Sequence, residues 1–307
     1  MASESELHGP RFELDLHGPG YPAMLGEIPN PPKRLYGIGN ADALQPGVAL
    51  IGSRKATPYG LTCTERFAAH LARRGLTIVA GGARGCDLAA HKVAVELESP
   101  TIVVFGSAPD VVYPKSGRAV FQRAIDQGGA VVSEQPWGTQ PLPAFFPQRN
   151  RIIAGLSVLL LIAEAGLPSG TFSTADAALA QGKEVAVVPG AITSPNARGS
   201  NRLLCQGATP VIDFETLDDC LEQAFVRYPV ACAQAGDEQW ERVPDELLEH
   251  DGVLRALSAA AYRPEELAAY FGFSPAELAR RLSQYEMQGL VERGRDGRYH
   301  LKAHMRQ

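Results

Sequence analysis

The amino-acid sequence predicts an α/β protein with a doubly wound parallel sheet and a small C-terminal winged-helix domain. Three observations lead to this prediction. Short apolar segments without polar alternation recur through residues 46–226, most of them separated by helix-length stretches, which is typical of a parallel sheet covered on both faces. Several of these segments run directly into glycine-rich turns. After residue 244 the pattern changes to helical stretches followed by a hairpin.

The predicted strands are short runs of aliphatic and β-branched residues. They cover residues 48–51, 77–80, 101–105, 130–133, 158–162 and 184–188. Ligands of doubly wound sheets bind at the carboxyl ends of the strands. The turns that follow these strands are therefore the expected functional site.

Proline and glycine content sets the predicted domain boundaries. Residues 1–45 are rich in both and are interpreted as an extended N-terminal arm with turns. Residues 46–226 form the α/β domain, residues 227–244 a linker, and residues 245–307 the winged-helix domain.

The winged-helix prediction depends on local start and stop signals. Helices are expected over residues 246–257 and 264–270, and a third helix is expected to end at Met287. Ser274 caps this third helix, with Pro275 at its first position and Glu277 three residues after the cap. The turn Asp296-Gly297 predicts a hairpin between residues 290–293 and 298–301.

Composition narrows the class of protein. The chain has 307 residues, a formal net charge of -5 and a pI near 5.8, so binding to nucleic acid would need a local basic patch rather than bulk charge. Five widely spaced cysteines favour free thiols over a disulfide framework, a redox role or a metal site. The polar N-terminus and the absence of a long apolar run predict a cytoplasmic protein with no membrane contact.

Glycine-rich turns predict anion sites at three strand ends. Gly52-Ser53-Arg54 follows the first strand, three glycines fall within residues 81–85 after the second, and Ser169-Gly170-Thr171 opens a helix after the fifth. Backbone N–H groups in such turns hold phosphate oxygens. The alternative for the first turn is an ordinary strand-to-helix connection with a solvated arginine. Neither dinucleotide-binding nor P-loop spacing occurs in the chain.

A basic cluster lies at residues 146–156. Arg149, Asn150 and Arg151 follow Phe146 in an amphipathic segment that leads into the fifth strand. Arginine and asparagine at the start of a helix beside a parallel sheet predict a site for phosphate oxygens.

Several acidic and loop residues leave more than one interpretation open. Asp87 and His91, four positions apart on a helix, form either an acid–base pair or ribose contact, or a dipole-stabilised aspartate with a partly buried histidine. Glu164 is either a catalytic acid or base, or it holds a neighbouring arginine; the second is favoured. The loop from Pro189 to Asn201 either closes over a ligand, through Arg198, Asn201 and Arg202, or is solvated.

The winged helix has basic residues whose charge is offset by acidic ones. The basic residues are Arg280, Arg281, Arg293, Arg295, Arg298 and Lys302, and the acidic residues are Glu265, Glu266, Glu277, Glu286, Glu292 and Asp296. This balance favours protein contact or weak DNA contact over sequence-specific reading.

Taken in chain order, these motifs resemble the DprA/Smf family of DNA-processing proteins. The resemblance rests on Tyr21-Pro22 to Gly39-Asn40, Gly52-Ser53-Arg54, residues 82–91, residues 146–156, and Ser169-Gly170-Thr171 continuing to Pro189-Gly190 and Gly207-Ala208. It covers residues 21–301, including the winged helix. The Phe-Pro-x-Arg-Asn-Arg block with the Ser-Gly-Thr turn is its specific part.

The resemblance implies an extended Rossmann-like domain that binds single-stranded DNA and helps to load RecA recombinase in natural transformation. It also implies a homodimer and no catalysis. No metal or cofactor is expected. The residues it places in the DNA pocket are Gly52, Ser53, Arg54, Gly82, Arg84, Gly85, Asp87, Phe146, Arg149, Asn150, Arg151, Ser169, Gly170, Thr171 and Asn201. Phe146 is expected to stack on a base.

Two other functions are considered. The first is a nucleotide-hydrolysing enzyme similar to the phosphoribohydrolases of the same superfamily, which carry a Pro-Gly-Gly-x-Gly-Thr turn followed by a catalytic glutamate. Here Pro168-Ser169-Gly170-Thr171 lacks the double glycine, and Phe172 and Ser173 follow it in place of a glutamate. The second is a nucleotide-sensing or protein-docking module built around the winged helix.

Overall fold

The computed structural model describes residues 6–230, 245–294 and 296–301, which belong to two compact units. The larger unit contains the sheet, and the smaller unit contains the C-terminal helices and hairpin. Most of the predicted linker (residues 231–244, which include Cys232) lies outside the described residues, and so do Arg295 and Lys302.

A nine-stranded sheet forms the centre of the larger unit. Its strands are β1 (Arg11–Asp15), β2 (Arg34–Gly39), β3 (Gly47–Ile51), β4 (Ile78–Ala80), β5 (Thr101–Val104), β6 (Ala130–Ser133), β7 (Ser157–Ile162), β8 (Glu184–Val187) and β9 (Thr209–Pro210). The spatial order is β1-β2-β6-β5-β4-β3-β7-β8-β9. Strands β3 to β9 are mutually parallel, which confirms the predicted doubly wound sheet.

Helices cover both faces of this sheet. They are α1 (Ala23–Gly26), α2 (Pro58–Arg73), α3 (Cys86–Glu96), α4 (Arg118–Asp126), α5 (Phe145–Gly155), α6 (Thr171–Ala180), α7 (Arg198–Cys205) and α8 (Phe214–Arg227). Ile102 and Val104 of β5 belong to one apolar cluster and Val103 belongs to another. Because successive strand residues point to opposite faces, this alternation shows that both faces are buried. No helix in the described residues is long and apolar enough to cross a membrane.

The chain reverses its direction of winding between β3 and β7. From β3 it proceeds through β4 and β5 to β6, and then it returns to place β7 on the other side of β3. The carboxyl ends of β3 and β7 therefore open a crevice at the topological switch point, which is where ligands of such sheets bind.

The N-terminal 45 residues contribute two strands to the sheet. Strand β2 pairs antiparallel with β6, with Tyr36 opposite Ser133, and β1 pairs antiparallel with β2. The prolines and glycines that surround both strands predict an arm with turns instead. Leu35 and Ile38 nevertheless have fully buried side chains, so part of the segment belongs to the core of the larger unit.

The smaller unit has its own apolar core. Its elements are α9 (Asp245–His250), α10 (Gly252–Ala259), α11 (Pro264–Phe271), α12 (Pro275–Met287), β10 (Val291–Arg293) and β11 (Tyr299–Leu301). Leu254, Leu278, Leu282 and Tyr299 are among its buried residues. The antiparallel pairing of β10 with β11 confirms the predicted hairpin.

The helix predicted over residues 246–257 is two helices. The carboxylate of Asp251 accepts hydrogen bonds from the N–H groups of Val253 (2.9 Å) and Leu254 (3.2 Å), so it caps α10 and interrupts the periodic pattern. The predicted cap of α12 is present, since Ser274 Oγ accepts from the N–H of Glu277 at 3.3 Å.

Candidate functional site

The glycine turns after β3 and β4 pack directly against each other. The N–H of Cys86 donates to the carbonyl of Ser53 at 3.2 Å. Gly85 has a φ of +80°, and a Cβ at this position would lie 2.1 Å from that carbonyl oxygen. Only glycine satisfies both requirements. The two turns are therefore one structural unit at the carboxyl edge of the sheet.

The carboxylate of Asp87 occupies the centre of this unit. It accepts hydrogen bonds from the N–H groups of Gly81 (3.1 Å), Ala83 (3.4 Å) and Gly52 (3.4 Å). Burial raises the pKa of Asp87, while Arg149 and these N–H donors act in the opposite direction. The backbone N–H groups of the turns thus converge on an anion as predicted, but that anion is the Asp87 carboxylate of the protein itself. A phosphate at this edge would have to use other donors.

Arg149 lies beneath the turns. Its Nη1 donates to the carbonyl of Gly81 at 2.7 Å and to the carbonyl of Val104, so it joins the ends of β4 and β5. The residue is 4% exposed, and burial lowers its pKa to about 10. Because α5 begins at Phe145, Arg149 lies one turn inside the helix and not at its N-terminus.

Asn150 and Arg151 point to two further places. Asn150 Nδ2 donates to Ser173 Oγ at 2.7 Å and so connects α5 to the first turn of α6. Arg151 forms a two-point ion pair with Glu134, at 2.8 and 2.6 Å, beyond the end of β6. The basic cluster of the sequence is therefore divided among three locations.

The turn before α6 remains at the surface. Ser169 Oγ lies 2.8 Å from Thr171 Oγ1, and Gly170 is exposed, with open space within 4 Å of where a Cβ would stand. Asn201 does not face this turn as a free amide, because it donates to the Gly190 carbonyl (2.9 Å) and accepts from the Gly190 N–H (3.2 Å). It stabilises the loop after β8.

Two aromatic rings and an arginine form a cluster at the end of β5. The centroids of Tyr113 and Phe146 are 5.5 Å apart, and the Arg54 guanidinium lies 5.6 Å from the centroid of Phe146. Phe146 packs on Gly106, where a Cβ would be 2.9 Å from the ring. Tyr113 is 47% exposed. Tyr113 is not among the residues predicted for this site, although an aromatic residue in a strand-end loop is a usable signal.

Exposed cations follow the ends of β3 and β4. Arg54 and Lys55 follow β3, and Arg84 follows β4; all three are exposed. They supply the local basic patch that a chain of net charge -5 needs in order to attract a polyanion. Rings with cations beside them suit bases and phosphates respectively.

The acidic residues do not form an accessible catalytic pair. His91 Nδ1 lies 2.8 Å from Thr101 Oγ1, which donates to the Ile78 carbonyl, and burial lowers the pKa of His91 to about 3. Asp87 bonds to the turns instead of to His91, and Glu164 is only 3% exposed. Among the described residues no group of three or more His, Cys, Asp or Glu could hold a metal ion.

Comparison with known proteins identifies the family. The family model of DNA recombination-mediator protein A matches residues 14–224, and that of the DprA winged helix domain matches residues 242–297. Protein Smf of Escherichia coli K12 is 39% identical over 203 residues, which are 66% of this chain and 54% of that protein. The chain thus spans about half the length of this relative.

Two solved structures share the fold. DprA from Streptococcus pneumoniae has a TM-score of 0.63 and 36% identity, covering 71% of this chain and 76% of that one. DprA from Helicobacter pylori, solved to explain its single-stranded DNA binding mode, has a TM-score of 0.63 and 31% identity, covering 70% of this chain and 97% of that one. The resemblance found in the sequence is confirmed: the chain belongs to the DNA recombination-mediator protein A family.

Proposed function

We propose that the carboxyl edge of the sheet binds single-stranded DNA. The observation that carries this proposal is the Tyr113–Phe146 ring pair with Arg54 beside it. An unpaired base can stack on an exposed ring, whereas the bases of a duplex are already stacked on one another. The described binding mode of the H. pylori relative supports the same ligand.

The predicted pocket residues divide into two groups under this proposal. The surface group contacts the strand: Gly52, Ser53, Arg54, Arg84, Gly85, Phe146, Ser169 and Gly170, to which we add Tyr113. The supporting group is buried or fixes the turns and loops: Gly82, Asp87, Arg149, Asn150, Arg151, Thr171 and Asn201. Within the surface group, substitution of the exposed side chains is expected to alter DNA affinity without altering stability, whereas Gly85 also fixes the contact between the two turns.

The wider role follows from family membership. We propose a non-enzymatic protein of the cytoplasm that protects incoming single strands as a homodimer and delivers them to RecA recombinase in natural transformation. The winged-helix domain, joined through residues 227–244, is proposed to act separately from the strand-binding edge. The burial of Asp87 and Glu164 supports binding without hydrolysis.

Fluorescence anisotropy with a labelled single strand and its matched duplex tests this function. We expect tighter binding of the single strand that weakens with salt. Replacing Tyr113 with Ala should weaken single-strand binding by about 5- to 150-fold, because stacking on one ring contributes roughly 1–3 kcal/mol. Tyr113→Phe keeps the ring and is expected to bind like the wild type.

Three results would contradict the proposal. They are equal affinity for single strand and duplex, no binding to either, or an unchanged affinity in both Tyr113→Ala and Arg54→Glu. Release of free base from AMP-type nucleotides by the purified protein would instead support an enzyme.

A further inference from the structure

A cavity opens at the same edge of the sheet, between β2 and α5. Its volume is about 490 Å³, which lies within the range of small-molecule sites. It is lined by Asn30, Pro31, Pro32, Lys33, Arg34, Tyr36, Glu134, Gln148 and Arg151. We call it the β2–α5 pocket. None of its residues except Arg151 belongs to the predicted DNA site.

Strand directions place this pocket beside the DNA-binding edge. Strand β2 runs antiparallel to β6, and Tyr36 lies opposite Ser133, the last residue of β6. The start of β2 therefore lies at the carboxyl edge of the parallel strands. Helix α5 borders both sites, because Phe146 in its first turn belongs to the ring cluster while Gln148 and Arg151 line the pocket.

The polar groups of the pocket are mostly neutralised within the protein. Arg151 is paired with Glu134, and Arg34 is paired with Asp15 (2.6 Å) and Glu13 (2.9 Å). Lys33 is exposed, and its side chain makes no ion pair or hydrogen bond within the described part of the chain. Its ammonium group is therefore available to an incoming phosphate.

The ring of Tyr36 gives the pocket one flat surface for a base. Tyr36 is held edge-on against Trp137, with centroids 5.6 Å apart, and Arg11 lies 4.8 Å above the Trp137 ring. Trp137 Nε1 donates to Glu13 at 2.7 Å. The Tyr36 ring is thus fixed before any ligand arrives, which lowers the entropic cost of stacking. Gln148 adds an amide that can bond to a base edge.

We propose that the β2–α5 pocket takes one nucleotide of a bound single strand, with a phosphate on Lys33 and a base against Tyr36. The inference rests on the proposed function, because it extends the strand from the ring cluster across the first turn of α5. It predicts that part of the affinity appears only when the strand is long enough to reach the pocket.

A length series measures this directly. Labelled oligothymidylates of about 4 to about 16 nucleotides, the range of single-strand site sizes, are titrated into the full chain and into Lys33→Glu. We expect the variant to bind the shortest strands like the wild type and the longest strands about 3- to 10-fold more weakly. Its salt slope on long strands should be smaller by about 0.7, the value for one phosphate contact on a single strand.

Lys92→Glu is the matched control. It makes the same change of charge on an exposed lysine, whose ammonium lies 3.6 Å from the Glu96 carboxylate on the solvent side of α3. Lys92 is in the second half of α3, which runs away from the carboxyl edge. We expect wild-type affinity at every length. An equal loss at all lengths in both variants would show a general charge effect and overturn the pocket assignment.

Other outcomes are equally decisive. Lys33→Glu binding like the wild type at every length overturns the inference while leaving the proposed function intact. No binding of any strand by the wild type contradicts the proposed function itself. Saturable binding of thymidine 5′-monophosphate that Lys33→Glu abolishes, with unchanged strand affinities, would assign the pocket to free nucleotides and overturn the strand proposal.

Discussion

Three arginines near the carboxyl edge of the sheet have three different roles. Arg54 is exposed beside Phe146, Arg149 is buried beneath Gly81, and Arg151 is neutralised by Glu134. Arg149 and Arg151 are two positions apart on α5, and residues at this spacing on a helix point in nearly opposite directions. Helix geometry therefore separates them, although their sequence cluster suggested a common target.

This difference predicts that replacement by Met lowers stability at Arg149 and DNA affinity at Arg54. Arg149→Met leaves the buried carbonyls of Gly81 and Val104 without their donor and removes a positive charge near Asp87. We expect a loss of roughly 3 kcal/mol or more in unfolding free energy, measured by urea denaturation. Arg54→Met should change stability by less than about 0.5 kcal/mol and weaken single-strand binding. Normal stability in Arg149→Met would refute the structural role of Arg149.

His91 makes stability depend on pH. Burial lowers its pKa to about 3 in the folded protein, against about 6.5 in the unfolded chain. The unfolded state therefore binds more protons between these values, and stability is lost as the pH falls below about 6.5. At pH 5 the loss is roughly 2 kcal/mol.

A comparison with His91→Gln isolates this effect. Burial also raises the pKa of Asp87, which makes stability increase as the pH falls. This contribution is the same in wild type and variant, so it cancels in the comparison. We expect the difference in unfolding free energy between wild type and variant to fall by roughly 2 kcal/mol between pH 7 and pH 5. A difference that is constant over this range would show that His91 is not buried in its neutral form.

At the scale of elements, apolar runs predicted strands β3 to β8 to within a residue or two, because strands buried on both faces carry few polar positions. The two-residue strand β9 was not predicted, since it is too short to form an apolar run. Strands β1 and β2 were not predicted, since backbone pairing at a sheet edge has little sequence signal and Gly37 and Gly39 interrupt the pattern. The carboxyl-edge turns were located correctly. The Asp87 carboxylate that occupies these turns was not predicted, because the sequence does not show that Asp87 folds back onto Gly52 and Gly81.

The paired turns make a prediction about Gly85. Gly85→Ala meets both a φ of +80° and the Ser53 carbonyl, whereas Gly75→Ala meets a φ of +72° with no atom within 4 Å. The control should lose about 1–2 kcal/mol from backbone strain alone. Gly85→Ala should lose more, and it should also weaken single-strand binding because the Ser53-Arg54 turn must move. Equal effects in the two variants would show that the contact between the turns is unimportant.

At the scale of the whole molecule, the sheet unit and the winged-helix unit each have an apolar core. Binding is proposed for the sheet unit alone, since basic residues of the winged helix are offset by acidic ones: Arg298 lies 3.7 Å from both Glu266 and Asp296. A net charge of -5 also means that the chain as a whole does not attract DNA through bulk charge.

Calorimetry of the full chain should therefore separate the two units. We expect two unfolding transitions, one for each unit. A single-stranded oligonucleotide should raise the unfolding temperature of the sheet unit only. At a free concentration of 100 times Kd, the stabilisation of the sheet unit should be about 2.7 kcal/mol. The matched duplex is the control and should shift neither transition at the same concentration. A shift of both transitions by the single strand would show that the winged-helix unit takes part in binding, because a ligand stabilises only the folded parts that it contacts.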